Sequence, residues 1–294
     1  QRNRVLLSFL AMTCLGTTSW AATLTVDGGG GGDYTTIQAA INAAVAGDTV
    51  YVLDGTYSEA LDIVDKPLTL QGETEVGVII DASGSTDYSI YVDSNTMAAD
   101  HYEFHDFTLI GNLSGTYGLK ISGENITTTI DHVTVQDSKR TGVDLNGVAG
   151  GTISNVTVTG VPSGNGIALT DCDDITLSNL TTSGNAWGGL AIYTYGRYYT
   201  GGSNNVVLVS GGNSLADSPQ IYTEVDNYFN PADPFDITNL SVSTVDYPYL
   251  VGGLPTGDHT SFAVDEVSAL GAIVASTVPE LAPKQARVPC PAVI

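Results

Sequence analysis

Between Phe104 and Val242 the chain repeats itself every 23 to 34 residues, most often close to 24, and the repeated unit is a strand only a few residues long. Two tracks run in parallel. One is apolar, spacer, turn-type polar residue, then a short apolar-Thr-apolar strand: Phe104-His-Asp-Phe-Thr-Leu109, Ile130-Asp-His-Val-Thr-Val135, Ile153-Ser-Asn-Val-Thr-Val158, Leu177-Ser-Asn-Leu-Thr-Thr182 and Ile237-Thr-Asn-Leu-Ser-Val242, with Ser203-Asn-Asn-Val-Val-Leu208 fitting more loosely. The other is Gly-apolar-x-apolar, at Gly118, Gly142, Gly166 and Gly189, spaced 24, 24 and 23.

A strand this short cannot bury its apolar face alone, so each coil must stack on the next, about 4.8 Å away. Apolar residues alternate with period two, Val, Ile and Thr dominate, and Gly or Asn punctuates the runs, which excludes helical repeats of similar length. The expectation is an all-β parallel β-helix, a solenoid of about eight or nine rungs and on the order of 40 Å long. The expected organisation is a leader over 1–21, a cap and first strand over 22–60, rungs over 61–265, and a C-terminal segment over 266–294 with a Pro-rich disordered tail.

Arg2 and Arg4, then Val5 to Met12, then Ser19-Trp-Ala21, read as the charged, apolar and cleavage regions of a secretory signal peptide, so the protein is expected outside the cell or on its surface. The apolar run is too short for a membrane span of about 20 residues. Removing Arg2 and Arg4 takes the formal charge from −23 to −25. So acidic a surface disfavours nucleic acid as a partner, and points to cation capture, with Ca²⁺ the candidate ion. Beyond the leader only Cys172 and Cys290 remain, so no disulfide framework holds the fold.

Gly31 to Ala44 carries the one clear helix signal, with Ile37, Ala40, Ile41 and Ala44 on one face, read as a lid over the first coil. Gly55-Thr-Tyr-Ser-Glu59 and Lys66-Pro-Leu-Thr-Leu-Gln-Gly72 follow. Together with Gly32-Asp-Tyr34 they resemble the opening block of right-handed parallel β-helix proteins of the pectin lyase-like superfamily, pectin methylesterases in particular. The resemblance covers about 40 residues closely and the remainder through the repeat. It implies the fold; activity does not follow from fold.

Pectin methylesterases use two carboxylates, with glutamines and an arginine holding the oxyanion. Gln136-Asp137-Ser138 echoes one such motif and Tyr195-Gly-Arg-Tyr-Tyr199 carries an arginine, but no second Gln-and-Asp pair matches. A lyase needs Ca²⁺ and a basic residue beside a uronate, and a hydrolase needs clustered carboxylates. The candidate catalytic residues are accordingly Asp137, Asp144, Asp171 and Arg197, and the candidate metal ligands Asp171, Asp173 and Asp174.

In-register stacking makes columns. Lys120, Asp144, Ala168 and Ala191 are expected outward in one, with Ser122, Asn146, Thr170 and Tyr193 beside it, so Lys120 and Asp144 should be neighbours. Asp106, His132, Asn155, Asn179, Asn205 and Asn239 are expected at equivalent turn positions, bonding along the axis as only residues tolerant of φ > 0 can. Asn112, Asn125, Asn155, Asn179 and Asn239 begin glycosylation sequons that the repeat itself also generates. Aromatics concentrate late, and Trp187, Tyr193, Tyr195, Tyr198 and Tyr199 are the candidate binding residues. The leading expectation is a structural, adhesive or assembly role, with a polysaccharide or further copies of the chain as partner. The alternative is a polysaccharide-active enzyme, a lyase, esterase or hydrolase with a divergent site.

Overall fold

The structure is a computed structural model that describes residues 21–94, 99–194, 205–209, 212–217, 220–225, 239–242 and 249–252. From Phe104 to Ile192 its strands fall where the two tracks mark them, and the strand pairings are parallel throughout. The first track builds a 13-stranded sheet that includes His101–Ile110, Thr127–Gln136 and Gly150–Thr159. The second builds an 8-stranded sheet from Leu61–Val64, Ile90–Ser94, Leu119–Gly123, Val143–Asn146, Ile167–Thr170, Leu190–Thr194, Ile221–Val225 and Tyr249–Gly252.

The long strands of the first sheet bend in the middle, so each coil has three faces. The bend falls on Asp106, His132, Asn155 and Asn179, with φ of 58°, 52°, 53° and 51°. Asp and Asn reach this left-handed region at lower cost than other residues with a side chain. One step of the column bonds along the axis as expected, Asn179 Nδ2 donating to Asn155 Oδ1 at 3.0 Å, while Asn155 Nδ2 leaves the column and donates to Asp131 Oδ1, beside His132, at 2.8 Å.

The column does not continue through Asn205 and Asn239. Val206 pairs with Ile175 and Leu208 with Leu177, which puts Asn205–Leu208 on the strand before the bend. Asn239 pairs with Asn205 and leaves the column with it. The bend passes instead to Gly212, at φ 77°, two residues before Ser214, which pairs with Thr181. A Cβ there would lie 2.0 Å from Asn179 Oδ1, so glycine is required. The physical reason is degeneracy: Val206 and Leu208 alternate inward as well before the bend as after it.

The interior is continuous columns of apolar side chains. Leu70, Phe104, Ile130, Ile153, Leu177 and Leu208 stack on the first face, Leu109, Val135 and Val158 on the second, and Ile63, Val92, Ile121, Leu145, Leu169 and Ile192 on the third, all buried. The helix Ile37–Ala43 lies against the first coils with Ile37, Ala40 and Ile41 buried, as its spacing predicts. Stacking starts before Leu61, because Thr23–Val26 already pairs with Thr49–Val52 and the cap segment is itself a rung. Among the described residues no helix is long and apolar enough to cross a membrane.

Candidate functional site

The third face carries the candidate site, because its outward side gathers the aromatic and cationic side chains. The expected register holds: Asp144 pairs with Lys120 and with Ala168, Ala168 with Ala191, and Ala191 with Tyr222. Lys120 Nζ donates to Asp144 Oδ2, which also accepts from Asn146 Nδ2 at 2.9 Å. The column points outward, as expected, yet is not exposed. Lys120 is 9% exposed, Asp144 5% and Ala191 0%. Tyr222 and Tyr193 pack with Ala168 and Ala191, ring centroids 5.8 Å apart, and Tyr193 donates to Asn165 Oδ1 at 2.7 Å.

Along the flank of this column runs a strip of rings and cations. Tyr91 stacks on Tyr88 at 4.5 Å and Tyr88 on Tyr117 at 5.7 Å. Lys120 Nζ lies 4.4 Å from the Tyr117 centroid, and Arg140 Cζ lies 5.3 Å from Tyr117 and 5.9 Å from the Trp187 ring. Arg140 and Trp187 stand two rungs apart with Gly164 between them. A Cβ on Gly164 would come within 2.6 Å of the Arg140 backbone, so no side chain interrupts the approach. Cations over ring faces are each worth about 0.5–1 kcal/mol where exposed. Trp187 is half exposed and presents ring surface to solvent.

The remaining candidates are dispersed. Asp137 is exposed at φ 57°, at the corner that Gly160 and Gly184 continue at φ 76° and 70°, a backbone role in place of a position beside Asp144. Asp171 is buried at φ 51°, its N–H donating to Tyr193 O at 2.8 Å, in the turn column of Gly147. Asp173 is half-buried and Asp174 exposed, and among the described residues no three His, Cys, Asp or Glu side chains are gathered to hold a metal ion. Arg197, Tyr195, Tyr198 and Tyr199 lie outside the described residues. Cys172 is buried and free, and burial pushes its thiol up to about 12, so it stays protonated and is no nucleophile.

Of the sequon asparagines, Asn155 and Asn179 spend their amides in the ladder, and Asn112 Nδ2 donates to Ser83 O at 2.6 Å and to Ser85 O. Asn125 is exposed at φ 64°. Asn239 stands in the strand Asn239–Val242, its side chain outside the described residues.

Tyr88, Tyr91 and Tyr117 were not among the sequence candidates. A signal for them exists: Ser89-Ile-Tyr-Val92 extends the second track one rung back, which aligns Tyr88 with Tyr117 and Tyr91 with Lys120.

Three outward-facing parallel faces wrapped around an apolar interior define a parallel β-helix, and a family model described as a right-handed beta helix region matches residues 117–210. This chain is therefore a right-handed parallel β-helix protein. Among solved structures it is similar to pectin methylesterase from Aspergillus niger in deglycosylated form, at 19% identity and TM-score 0.37, covering 80% of this chain and 85% of that one. A penultimately deglycosylated form of the same enzyme is similar at 15% identity and TM-score 0.33, with the same coverages. No curated protein matches the sequence.

Proposed function

We propose that this is an exported β-helix protein that binds a glycan chain along its third face and does not turn it over. The observation that carries this reading is the strip from Tyr91 through Tyr88, Tyr117 and Arg140 to Trp187, which runs along the axis of the rod as an extended polymer would. Flat amphipathic rings suit sugar faces, and a guanidinium held between two rings is already oriented for hydroxyl or carboxylate oxygens. The reading as a binder and not a catalyst rests on Asp144, whose carboxylate is committed to Lys120 and Asn146.

The test is affinity electrophoresis of the exported protein through gels containing neutral and acidic polysaccharides, alongside assays for new chain ends and for released methanol. Retardation by at least one polysaccharide is expected, lost in Trp187→Ala and Arg140→Ala, with no product formed. Migration unaffected by every polymer would sink the proposal. Methanol or new chain ends, abolished in Asp144→Asn, would replace it with the esterase, lyase or hydrolase reading.

A further inference from the structure

On the first two faces the outward columns have a composition the rest of this acidic chain does not share. Thr129, Thr152 and Thr176 follow one another on the first face, with Ser154 and Ser178 two residues on. Thr108, Thr134, Thr157, Thr181 and Ser214 follow one another on the second, and Thr159 and Ser183 flank them. The bend between the faces is occupied by Asn155 and Asn179.

Charge is missing from the later rungs of these columns; on the earlier ones Thr129 pairs with Glu103, the Ser154 hydroxyl donates to Asp131 Oδ1 at 2.6 Å, and the Thr134 hydroxyl donates to Glu75 Oε1 at 2.7 Å. From Leu145 to Gly196 the sequence holds three charged side chains, Asp171, Asp173 and Asp174, in a chain of net charge −23. All three fall in or beside the turn after the third face, so Gly150–Thr159, Ile175–Ser178 and Thr181–Ser183 carry no charge at all. Nor do they carry an aromatic ring. Thr152 and Ser214 are exposed, and Thr157, Thr159, Thr176, Thr181 and Ser183 are half-buried at the sheet surface.

Cross-strand pairing of threonines stabilises a sheet, and that accounts for some of the pattern. It does not require the clearing of every charge. An uncharged lattice of hydroxyls and methyls, repeating about every 4.8 Å along the axis and about 6.6 Å along each strand, fits a ligand that is itself a lattice. A single hydroxyl gains little from a water molecule, but a rigid array engaging many sites at once gains through multivalency and preorganisation. Sugars fit it poorly, because no ring is present to stack on. We propose that the hydroxyl-patterned surface of these rungs binds ice, with Thr157, Thr159, Thr181 and Ser183 at its centre. This is independent of glycan binding on the third face.

The experiment measures ice recrystallisation, thermal hysteresis and partition into slowly grown ice for the full chain. The folded protein is expected to slow recrystallisation and to be enriched in the ice fraction. Thr157→Arg with Thr181→Arg should lose both effects and keep the far-ultraviolet β signature, whereas Val64→Ser on the third face should lose neither. Should the double variant fail to fold, Ser183→Arg at a strand end serves in its place and should weaken both effects. A folded parent protein that stays in the liquid and leaves crystal growth unchanged overturns the proposal, as does undiminished ice binding by a folded arginine variant.

Discussion

Glu59 and Lys66 hold opposite ends of the same helix. The Glu59 carboxylate accepts from the N–H groups of Ile37 and Gln38 at 2.8 and 2.9 Å, and Lys66 Nζ donates to Ile41 O at 2.7 Å and Asn42 O at 3.2 Å. Helix ends leave such groups without partners, and the helix dipole favours an anion at one end and a cation at the other. The two residues belong to the opening motifs that resemble pectin methylesterases. Their positions give those motifs a mechanical role, clamping the cap onto the first coils, which is why they report fold and not activity.

Glu59→Ala should therefore destabilise the protein by about 1–2 kcal/mol, the usual cost of losing an N-terminal cap. Lys66→Met, which keeps much of the stem, should cost about 0.3–1 kcal/mol. Urea melts check both, and glycan retention should be unaltered because Arg140 and Trp187 lie on rungs well beyond the strand Leu61–Val64 against which the cap packs.

The Lys120–Asp144 pair should behave as a buried one, since its side chains are only 11% and 7% exposed. Removing one partner strands the other charge, so Asp144→Ala should cost about 3–5 kcal/mol. Replacing both, with Lys120→Met and Asp144→Leu, should recover most of that loss. A double-mutant cycle decides it, and strictly additive losses would show that the two side chains are not coupled.

Asp131 and His132 should make stability depend on pH in opposite senses. Burial works against the Asp131 carboxylate, but hydrogen bonds from Ser154, Asn155 and His132 outweigh it and hold its pKa below the usual value. The hydrogen bond to Asp131 raises His132. The contribution of Asp131 is present above its unfolded pKa of about 3.9 and is lost as pH falls through the lower folded value. That of His132 is full below about 6.5 and is lost as pH rises through the higher folded value. Melts of His132→Asn should differ from the parent more at pH 5 than at pH 8. An equal difference at the two pH values would exclude the charged pair.

At Asn155 the normal order of substitutions in a strand should reverse. With φ at 53°, a Cβ that lacks the asparagine amide costs about 1–2 kcal/mol, so Asn155→Ala should be less stable than Asn155→Gly. Both variants lose the bonds to Asp131 and Asn179, so the difference between them isolates the backbone term. Chemical denaturation of the two variants measures it.

Between Phe104 and Ile192, which strands form, which side chains face the interior and which residues stack on which were readable from the two tracks, because period two and a rung of about 24 residues leave little freedom once every coil must bury its apolar face. The adjacency of Lys120 and Asp144 and the bends at His132, Asn155 and Asn179 follow from the same rule. Where alternation is degenerate it failed: Val206 and Leu208 suit two strands equally, and only stacking against Ile175 and Leu177 chose between them. Exposure was beyond reach as well. Tyr117 over Lys120, Tyr193 and Tyr222 beside Ala168 and Ala191, and Arg140 reaching Trp187 across Gly164 bring together side chains from turns and from different rungs. Sequence determined the direction each side chain takes from the sheet, because that is local pleat geometry; tertiary structure decided what lies over it, because that depends on side chains brought in from the turns and from neighbouring rungs.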